Sequence, residues 1–319
     1  MRTKSIAALA ATMLLLAAGC GSSGKPSSTA SDAVDEVTVG ILAIIDTAPI
    51  YLGVDRGFFT KRRIKATLKP AQGGAVIVPG VVSGQLQFGF SNVTSLLIAR
   101  SKGLPLKVVA AGNYTTGQAG ADFGAVVVPA DSPVRTPADL AGRRVGVNNL
   151  NNIGDTTVRA SVRKAGGDPS AVKFVEISFP DAPAALANKR VDAAWVVEPF
   201  LTVARSQGAR PVAWNLVDTD PNLMIAAYFT TEQLRAEHPD LVARFRDAVN
   251  ESLTYAQQHQ DEARRIVGTY TTIAPQVAAD LTLPRWSPEV NRDSVQRLAD
   301  LAKGDGLVKE APDVTGLLP

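Results

Sequence analysis

The sequence predicts an α/β protein of two lobes, each a mainly parallel sheet flanked by helices, with a ligand cleft between them. A unit of helix, strand and polar tip occurs twice, at residues 77–92 and 184–198. Strand-like apolar runs alternate with helical segments between and around these units. The chain has 319 residues, and single cores divide at about 250 to 300 residues. Any α/β chain repeats such units, so the length and the alternation carry most of this prediction.

The second unit ends in the stretch DAAWVVEPF at residues 192–200. Residues 193–197 are apolar throughout, as a parallel strand covered on both faces requires. Glu198 ends the apolar run, and Pro199 cannot donate to a sheet ladder. The carboxyl ends of parallel strands face the ligand crevice in open α/β sheets. We therefore expect Glu198 at the cleft, with Trp195 behind it.

The first unit has the same order of features. Residues 77–84 predict a helix that ends in glycine, residues 85–90 predict a strand, and Ser91 and Asn92 follow it. When the two units are aligned, Phe90 falls opposite Trp195.

The first 19 residues have the pattern of a secretory signal. Arg2 and Lys4 precede an apolar run at residues 6–18, which is shorter than the roughly 20 residues that span a bilayer. LAAGC at residues 16–20 resembles the bacterial lipobox and departs from it at Ala17, where leucine is preferred. Cys20 is the only cysteine, so it cannot form an intramolecular disulfide, and we expect it to be lipidated. An ordinary signal with an incidental cysteine is the alternative.

Residues 20–36 are rich in serine, threonine and acidic side chains and predict a flexible tether. The formal net charge is +3, and Arg2 and Lys4 of the signal supply two of these charges. A nearly neutral mature chain lacks the positive surface that nucleic-acid binding requires. The expected location is the outer face of a bacterial cell membrane, with the lipid on Cys20 as anchor.

Several polar residues follow predicted strands and therefore point to the same cleft. The first strand, residues 37–45, is followed by Asp46 or Thr47 as a helix N-cap, with Pro49 in the first helical turn. Gly74 belongs to a glycine pair that either admits a ligand to the backbone or makes a plain turn. Residues 148–157 form a polar loop that opens a second helix aimed at the cleft. From residue 232 onward the chain is mostly helical, with Leu241, Phe245, Val249 and Leu253 at helical spacing.

The sequence contains little that indicates a catalytic site or a metal site. The only histidines, His238 and His259, lie in a charged helical segment without the spacing of metal ligands. The stretch GFSNV at residues 89–93 imitates a nucleophile elbow around Ser91 but lacks its last glycine. We expect no metal, no cofactor and no enzymatic activity. A serine hydrolase that uses Ser91 is a weaker alternative.

Four stretches together resemble one bacterial family, the solute-binding proteins of ABC importers for nitrate, alkanesulfonates, taurine and thiamine-precursor pyrimidines. They are APIYLG with GFF at residues 48–59, SGQLQFG at 83–89, PADLAGRRVGV at 137–147 and EPF at 198–200. The resemblance implies the type II periplasmic-binding-protein fold, whose lobes close on a solute. It also implies a monomer that docks on a membrane permease with its ATPase.

With this fold, the expected lobes are residues 37–121 joined to 216–319, and residues 122–215. Hinge closure requires crossings between lobes, for which we expect strand-like segments at residues 121–124 and 215–221.

We expect the ligand-binding residues to be Asp46, Thr47, Tyr51, Gly74, Ser91, Asn92, Asn113, Asn152, Thr156, Trp195 and Glu198. Two carboxylates and no arginine disfavour a bare anion such as nitrate. We hypothesise that Glu198 accepts an amino or ring N–H, that Trp195 or Tyr51 stacks on the solute, and that Ser91 and Asn92 orient it.

That set of contacts favours an aminopyrimidine-like solute, followed by taurine or an alkanesulfonate. Glu198 as a bridge between lobes and Trp195 as core are equally open alternatives. A solute-sensing lipoprotein for a membrane receptor, or a pyrimidine-making enzyme on the same fold, also remain possible functions. The sequence does not identify the solute or its affinity.

Overall fold

The computed structural model describes residues 33–319. The predicted signal, the predicted lipidation site Cys20 and most of the predicted tether lie outside these residues. Val34–Pro319 form one compact unit. In the part of the chain that is described, no helix is both long enough and apolar enough to cross a membrane.

Eleven strands occur within residues 33–319, in two sheets. In chain order they are β1 (Asp35–Ile41), β2 (Ile64–Pro70), β3 (Phe88–Asn92), β4 (Leu106–Tyr114), β5 (Gly124–Val128), β6 (Arg144–Val147), β7 (Lys173–Glu176), β8 (Ala193–Val197), β9 (Arg210–Ala213), β10 (Met224–Thr231) and β11 (Arg285–Trp286).

The helices lie between these strands and at the carboxyl end of the chain. They are α1 (Ala48–Asp55), α2 (Gly74–Val82), α3 (Val93–Ser101), α4 (Ile153–Lys164), α5 (Ala182–Ala187), α6 (Phe200–Ser206), α7 (Asn215–Thr219), α8 (Glu232–Glu237), α9 (Pro239–Gln258), α10 (Gln260–Val267), α11 (Pro275–Ala279), α12 (Arg292–Gly304) and α13 (Val314–Leu317).

The first sheet has the strand order β11-β4-β10-β3-β1-β2 and the second has the order β7-β6-β8-β5-β9. In the first sheet β1 pairs in parallel with β2 and β3, whereas β10 and β11 pair antiparallel with their neighbours. In the second sheet only β5 runs against the others. Most strands of each sheet therefore share one direction, and the predicted two-sheet α/β fold is confirmed.

The two sheets use different parts of the chain. Strands of the first sheet come from residues 35–114 and 224–286, and strands of the second come from residues 124–213. The predicted lobe boundaries, 37–121 with 216–319 and 122–215, stay a prediction.

The predicted repeat units each form a helix followed by a strand, with shifted ends. Helix α2 precedes β3, and α5 precedes β8. Ser91 and Asn92, predicted to follow a strand, are the last two residues of β3. The first strand begins at Asp35, within the predicted tether, and ends at Ile41 rather than at Ile45. Residues 45–47 form a 3₁₀ turn instead, so that Asp46 is held in a tight bend beyond the strand.

The carboxyl-terminal helices pack on the first sheet. The predicted apolar positions of α9 are buried, and the Phe245 ring stacks on Phe88 of β3 at a centroid distance of 3.7 Å. Burying one face of a long amphipathic helix is the main source of its stability in a protein.

The second predicted crossing is not strand-like, because residues 215–219 form α7. Asn215 donates from Nδ2 to Thr157 Oγ1 of α4 over 2.6 Å, and Leu216 is fully buried against Gly124 of β5. These contacts bind the connection to the second sheet as a short helix.

Candidate functional site

A narrow cavity lies between the two sheets, at the carboxyl ends of β3 and β8. The volume open to a water-sized sphere is about 30 Å³, enough for a water molecule, which needs roughly 10–15 Å³ by this measure. The lining residues are Leu42, Ile44, Asp46, Gly74, Phe90, Asn92, Asn148, Ile153, Phe179, Trp195, Val197, Ile225 and Ala226. Both sheets and the N-termini of α2 and α4 therefore contribute to its wall.

Asp46 supplies the only carboxylate of this wall. It is 3% exposed, and its Oδ1 accepts a hydrogen bond from Asn113 Nδ2 over 2.8 Å. Within the described part of the chain, Asp46 Oδ2 is buried without a hydrogen-bond partner. Burial raises the pKa of Asp46 to about 7, against an ordinary value of 3.8. A carboxylate kept in this way is available to a donor that enters the cavity.

Aromatic side chains from both sheets form much of the apolar wall. Trp195 is 3% exposed and meets Phe179 edge-on, with ring centroids 5.3 Å apart. Phe90 comes from the equivalent position of the first sheet and packs against Tyr228 at 5.0 Å. The predicted correspondence of Phe90 with Trp195 thus brings both rings to one cavity.

Gly74 allows α2 to begin directly against β3. A Cβ on Gly74 would lie 1.9 Å from Ser91 Oγ, far inside van der Waals contact. Ser91 is itself fully buried, and its hydroxyl donates to the Asn92 carbonyl over a long 3.3 Å. Glycine at this position therefore allows close helix–strand packing at the cavity edge, and the approach of a ligand to the backbone of the glycine pair stays a prediction.

Two predicted asparagines cap the helices beside the cavity. Asn92 Oδ1 accepts from the Ser95 amide over 2.9 Å at the start of α3. Asn152 Oδ1 accepts from the Gly154 amide over 2.8 Å at the start of α4, and its Nδ2 donates to Asn148 Oδ1. Of these three asparagines, Asn92 and Asn148 line the cavity.

Glu198 lies outside the cavity lining and binds protein donors. Its Oε2 accepts from the Thr202 amide over 3.0 Å, while Oε1 accepts from Thr202 Oγ1 over 2.8 Å and from the Thr282 amide over 3.3 Å. The Ile45 amide donates to the Glu198 carbonyl over 3.0 Å. Burial raises the pKa of Glu198 to about 7. Glu198 thus joins the end of β8 to segments that flank the first sheet through hydrogen bonds, and the alternative of a bridge between lobes stays a prediction.

Three other predicted residues use their polar groups in hydrogen bonds to other protein groups. Thr47 donates to the carbonyls of Leu42 and Ile44 over 2.6 and 3.0 Å. It stands at the N-cap of α1 but forms no side-chain cap, contrary to the prediction. Thr156 donates to the Asn152 carbonyl over 3.0 Å. Asn113 donates a hydrogen bond to Asp46 and is not among the lining residues, so its part in the site is indirect.

Tyr51 stacks on another protein ring instead of lining the cavity. The Tyr51 and Tyr270 rings are nearly parallel, with centroids 3.8 Å apart. Tyr270 donates its hydroxyl hydrogen to the Ile44 carbonyl over 3.0 Å, and Ile44 lines the cavity. Burial raises the pKa of Tyr51 to about 12. The pair therefore supports the loop that carries Asp46.

Nine of the 13 lining residues were not among the predicted site residues: Leu42, Ile44, Phe90, Asn148, Ile153, Phe179, Val197, Ile225 and Ala226. Phe179 lies in a turn, FPD, that looks like a plain connection in the sequence. Asn148 begins the polar loop that was predicted to reach the cleft, and this is the one signal that could have identified it. Ile153 and Ile225 have the pattern of core residues.

The serine hydrolase alternative fails on geometry. Ser91 is fully buried, whereas His238 and His259 are both exposed. His259 is stacked on Tyr255 with ring centroids 3.8 Å apart. A general base must lie within hydrogen-bond reach of its nucleophile, and neither histidine is in the buried environment of Ser91. Within residues 33–319 no group of three or more histidine, cysteine, aspartate or glutamate side chains could hold a metal ion.

The sequence matches a family model described as "NMT1/THI5 like" over residues 44–263, more than half of the chain. A putative aliphatic sulfonates-binding protein of Bacillus subtilis is 24% identical over 82% of this chain and 76% of its own length. A formylaminopyrimidine-binding protein of Halalkalibacterium halodurans is 23% identical over 76% of this chain and 73% of its own length.

Solved structures share the fold at lower identity. The alkanesulfonate-binding protein SsuA of Xanthomonas axonopodis pv. citri, bound to MOPS, is 18% identical with a TM-score of 0.77, over 90% of this chain and 99% of that one. The desulfurization enzyme DSZB is also 18% identical, with a TM-score of 0.64 over 88% of this chain and 95% of that one. The fold by itself therefore does not separate binding from catalysis.

Proposed function

Because the chain belongs to the NMT1/THI5-like family, we propose that it is the extracytoplasmic solute-binding component of an ABC importer. The observation that carries the proposal is the cavity between two sheets, with one carboxylate, Asp46, and two asparagines, Asn92 and Asn148, in an otherwise apolar and aromatic wall. Enclosed apolar cavities with a few placed polar groups are typical of small-molecule sites. The curated relatives are named as binding proteins, which supports a binding role over an enzymatic one.

The solute that this wall suits best is an uncharged or cationic ring with an N–H donor, such as an aminopyrimidine. None of the described lining residues is arginine, lysine or histidine, so a bare anion lacks a counter-charge. Asp46 Oδ2 offers an acceptor, and Phe90 and Trp195 offer aromatic surface for stacking. This assigns to Asp46 the part that the sequence suggested for Glu198. Direct contact of Glu198 with the solute would require its present hydrogen bonds to be exchanged.

A zwitterion such as taurine is the second candidate, and one observation favours it. Gly74 and Ile153, the first residues of α2 and α4, both line the cavity. Helix N-termini attract anionic groups, so a sulfonate could lie there while its ammonium group binds Asp46. An alkanesulfonate without an amino group would leave the carboxylate unpaired, which costs free energy in a buried site.

The test is a thermal-shift screen of the purified protein at pH 8 against aminopyrimidines, taurine, an alkanesulfonate and nitrate. Saturation at 100 times Kd stabilises a protein by about 2.7 kcal/mol, which gives a measurable rise in Tm. We expect the aminopyrimidines to raise Tm, and Asp46→Asn to weaken their binding at least tenfold. Glu198→Gln is the comparison variant, for which we expect less than a threefold change.

A rise with the alkanesulfonate or nitrate alone would contradict the solute class and leave the solute-binding role intact. No rise with any class would contradict the binding role. Delivery to a permease is tested separately, by uptake of the bound solute in cells with and without this chain. Normal uptake without it would favour the sensing lipoprotein.

The lobes and the anchor complete the proposal. We assign residues 37–121 with 216–319 to one lobe and 122–215 to the other, since the two sheets divide the chain near these points. We also propose that Cys20 carries the lipid anchor. Cys20→Ser should move the protein from the membrane fraction to the soluble fraction of its bacterial host, and an unchanged distribution would contradict the anchor.

A further inference from the structure

Two polar atoms of the cavity wall are buried and have no hydrogen-bond partner among the described residues. One is the acceptor Asp46 Oδ2, and the other is the donor Trp195 Nε1. Asp46 follows the first strand of one sheet, and Trp195 lies in β8 of the other. Two residues of the cavity wall thus carry one unpaired acceptor and one unpaired donor, each contributed by a different sheet.

The position of the Trp195 ring is fixed by close packing. A Cβ on Gly154, in the first turn of α4, would lie 2.5 Å from Trp195 Cε3 and 2.8 Å from Cζ3. This contact involves the side of the indole opposite Nε1. Phe179 meets the same ring edge-on. Glycine at position 154 therefore lets the indole occupy one definite place in the wall.

An unpaired buried N–H is costly, because the donor loses its hydrogen bond to water without gaining a protein partner. Trp286 shows that such a donor alone does not define a site. Its Nε1 is also buried and unpaired within the described residues, yet Trp286 does not line the cavity. The argument for Trp195 rests on the combination of an unpaired donor, a closely packed ring and a place in the same cavity wall as a carboxylate.

We propose, on the basis of the function proposed above, that the solute must carry a hydrogen-bond acceptor for Trp195 Nε1–H as well as an N–H donor for Asp46. The acceptor is a ring nitrogen in an aminopyrimidine or a sulfonate oxygen in taurine. Sites built around buried polar groups discriminate strongly against analogues that leave those groups unpaired. Trp195 is then a specificity-determining residue and not only an aromatic surface.

The experiment uses the indole N–H signals of the ¹⁵N-labelled protein. The chain has 3 tryptophans, so three signals are expected, and Trp→Phe variants assign them. One probe pair is 4-amino-2-methylpyrimidine and 3-methylaniline, which share the amino donor and differ in the ring acceptors. The second pair is taurine and propylamine, which separates a sulfonate acceptor from a ring nitrogen.

Within the probe pair that binds, we expect the member with the acceptor to shift the Trp195 indole proton signal downfield. The Trp286 signal should stay in place. Trp195→Phe should weaken that probe roughly three- to tenfold while changing the acceptor-free probe less than twofold. Trp286→Phe is the matched control and should change neither. The wild-type titration needs no variant, so the inference stays testable if Trp195→Phe does not fold.

Two results overturn the inference. If both members of a pair bind with similar affinity, or if a saturating acceptor-bearing probe leaves the Trp195 indole signal unmoved, the acceptor requirement is wrong and solute binding stands. If no probe of either pair binds, the proposed solute class fails together with this inference, and the thermal-shift screen decides whether the solute-binding role fails as well.

Discussion

At the scale of single residues, the main feature is the carboxyl group of Asp46, which lies in a largely apolar cavity wall. Asp46 is almost fully buried, and of its two oxygens only Oδ1 has a described partner, Asn113. A buried carboxyl group with an unpaired oxygen lowers the free energy of unfolding unless another interaction compensates for it. Such a conflict between local chemistry and folding is typical of functional positions. The sequence could place Asp46 near the cleft, because it follows a predicted strand. It could not show that Thr47 and Thr156 direct their hydroxyls to backbone carbonyls.

The first prediction concerns the pH dependence of stability. Burial raises the pKa of Asp46 from an ordinary 3.8 to about 7, so between these values the folded chain keeps a proton that the unfolded chain releases. The contribution of Asp46 to the free energy of unfolding is therefore largest below about pH 4 and falls as pH rises to about 7. Asp46→Asn removes this loss. We expect it to raise the free energy of unfolding at pH 8 by roughly 1–4 kcal/mol, measured by urea denaturation without ligand.

Asp192→Asn is the contrasting variant. Its hydrogen bond with Arg144 lowers the pKa of Asp192, so Asp192 stabilises the fold above its ordinary pKa and loses that contribution as pH falls. Removing it should destabilise the protein at pH 8. If Asp46→Asn behaves like Asp192→Asn, the carboxyl of Asp46 is solvated and does not lie in a closed cavity.

At the scale of elements, the cavity depends on helices that begin where strands end. Helices α2, α3 and α4 all start beside it, and the side chains of Asn92 and Asn152 cap α3 and α4. The predicted end of the first strand at Ile45 was wrong, since the strand ends at Ile41. Apolar residues continue past Ile41 into the 3₁₀ turn, so the pattern of apolar residues does not indicate where the chain bends. The contact of Gly154 with Trp195 joins elements far apart in the chain, and no local pattern announces such a contact.

The second prediction tests the approach of α2 to β3. Gly74→Ala places a Cβ 1.9 Å from Ser91 Oγ and 3.0 Å from its Cβ, so the buried Ser91 hydroxyl must rotate or the helix and strand must separate. We expect a loss of roughly 1–3 kcal/mol in the free energy of unfolding, together with weaker ligand binding. Adding Ser91→Ala should recover part of the stability, because it removes the clashing oxygen.

Gly304→Ala serves as the control for a glycine-to-alanine change in a helix. A Cβ there has no neighbour within 4 Å, so stability should stay the same or rise slightly. An unchanged Tm for Gly74→Ala would mean that the contact is relieved at no cost, by rotation of the Ser91 hydroxyl or by movement of α2, and would contradict this prediction.

At the scale of the whole molecule, the cavity is too small for the proposed solutes in this arrangement. Its volume of about 30 Å³ suits water, whereas an aminopyrimidine or taurine is several times larger. The two sheet systems meet along the rim of the cavity: Asn148 Nδ2 donates to the Gln72 carbonyl over 3.4 Å, and Gly73 packs on Asn149. Entry of a solute therefore requires this rim to part, as in hinge opening of two lobes.

The third prediction concerns a disulfide that would join the two sides of that rim. A Cβ on Gly73 would lie 2.9 Å from Asn149 Cγ, so cysteines at both positions are within reach of a disulfide, whose Cβ atoms lie about 3.8 Å apart. We expect Gly73→Cys with Asn149→Cys, in a Cys20→Ser background, to bind solute when reduced and to bind at least tenfold more slowly when oxidised. Stopped-flow fluorescence measures the rate.

Each single-cysteine variant is the control and should respond little to oxidation. If the oxidised double variant binds as fast as the reduced one, the solute enters by a route that leaves this rim closed.

The pKa of Asp46, about 7, has a consequence for the heat of binding. Near neutral pH about half of the molecules carry a proton on this group, and a solute N–H that binds the ionised carboxylate displaces it. Each solute captured would then release a fraction of a proton to the buffer. The calorimetric enthalpy should accordingly differ between phosphate and Tris at pH 7, and this difference should vanish in Asp46→Asn.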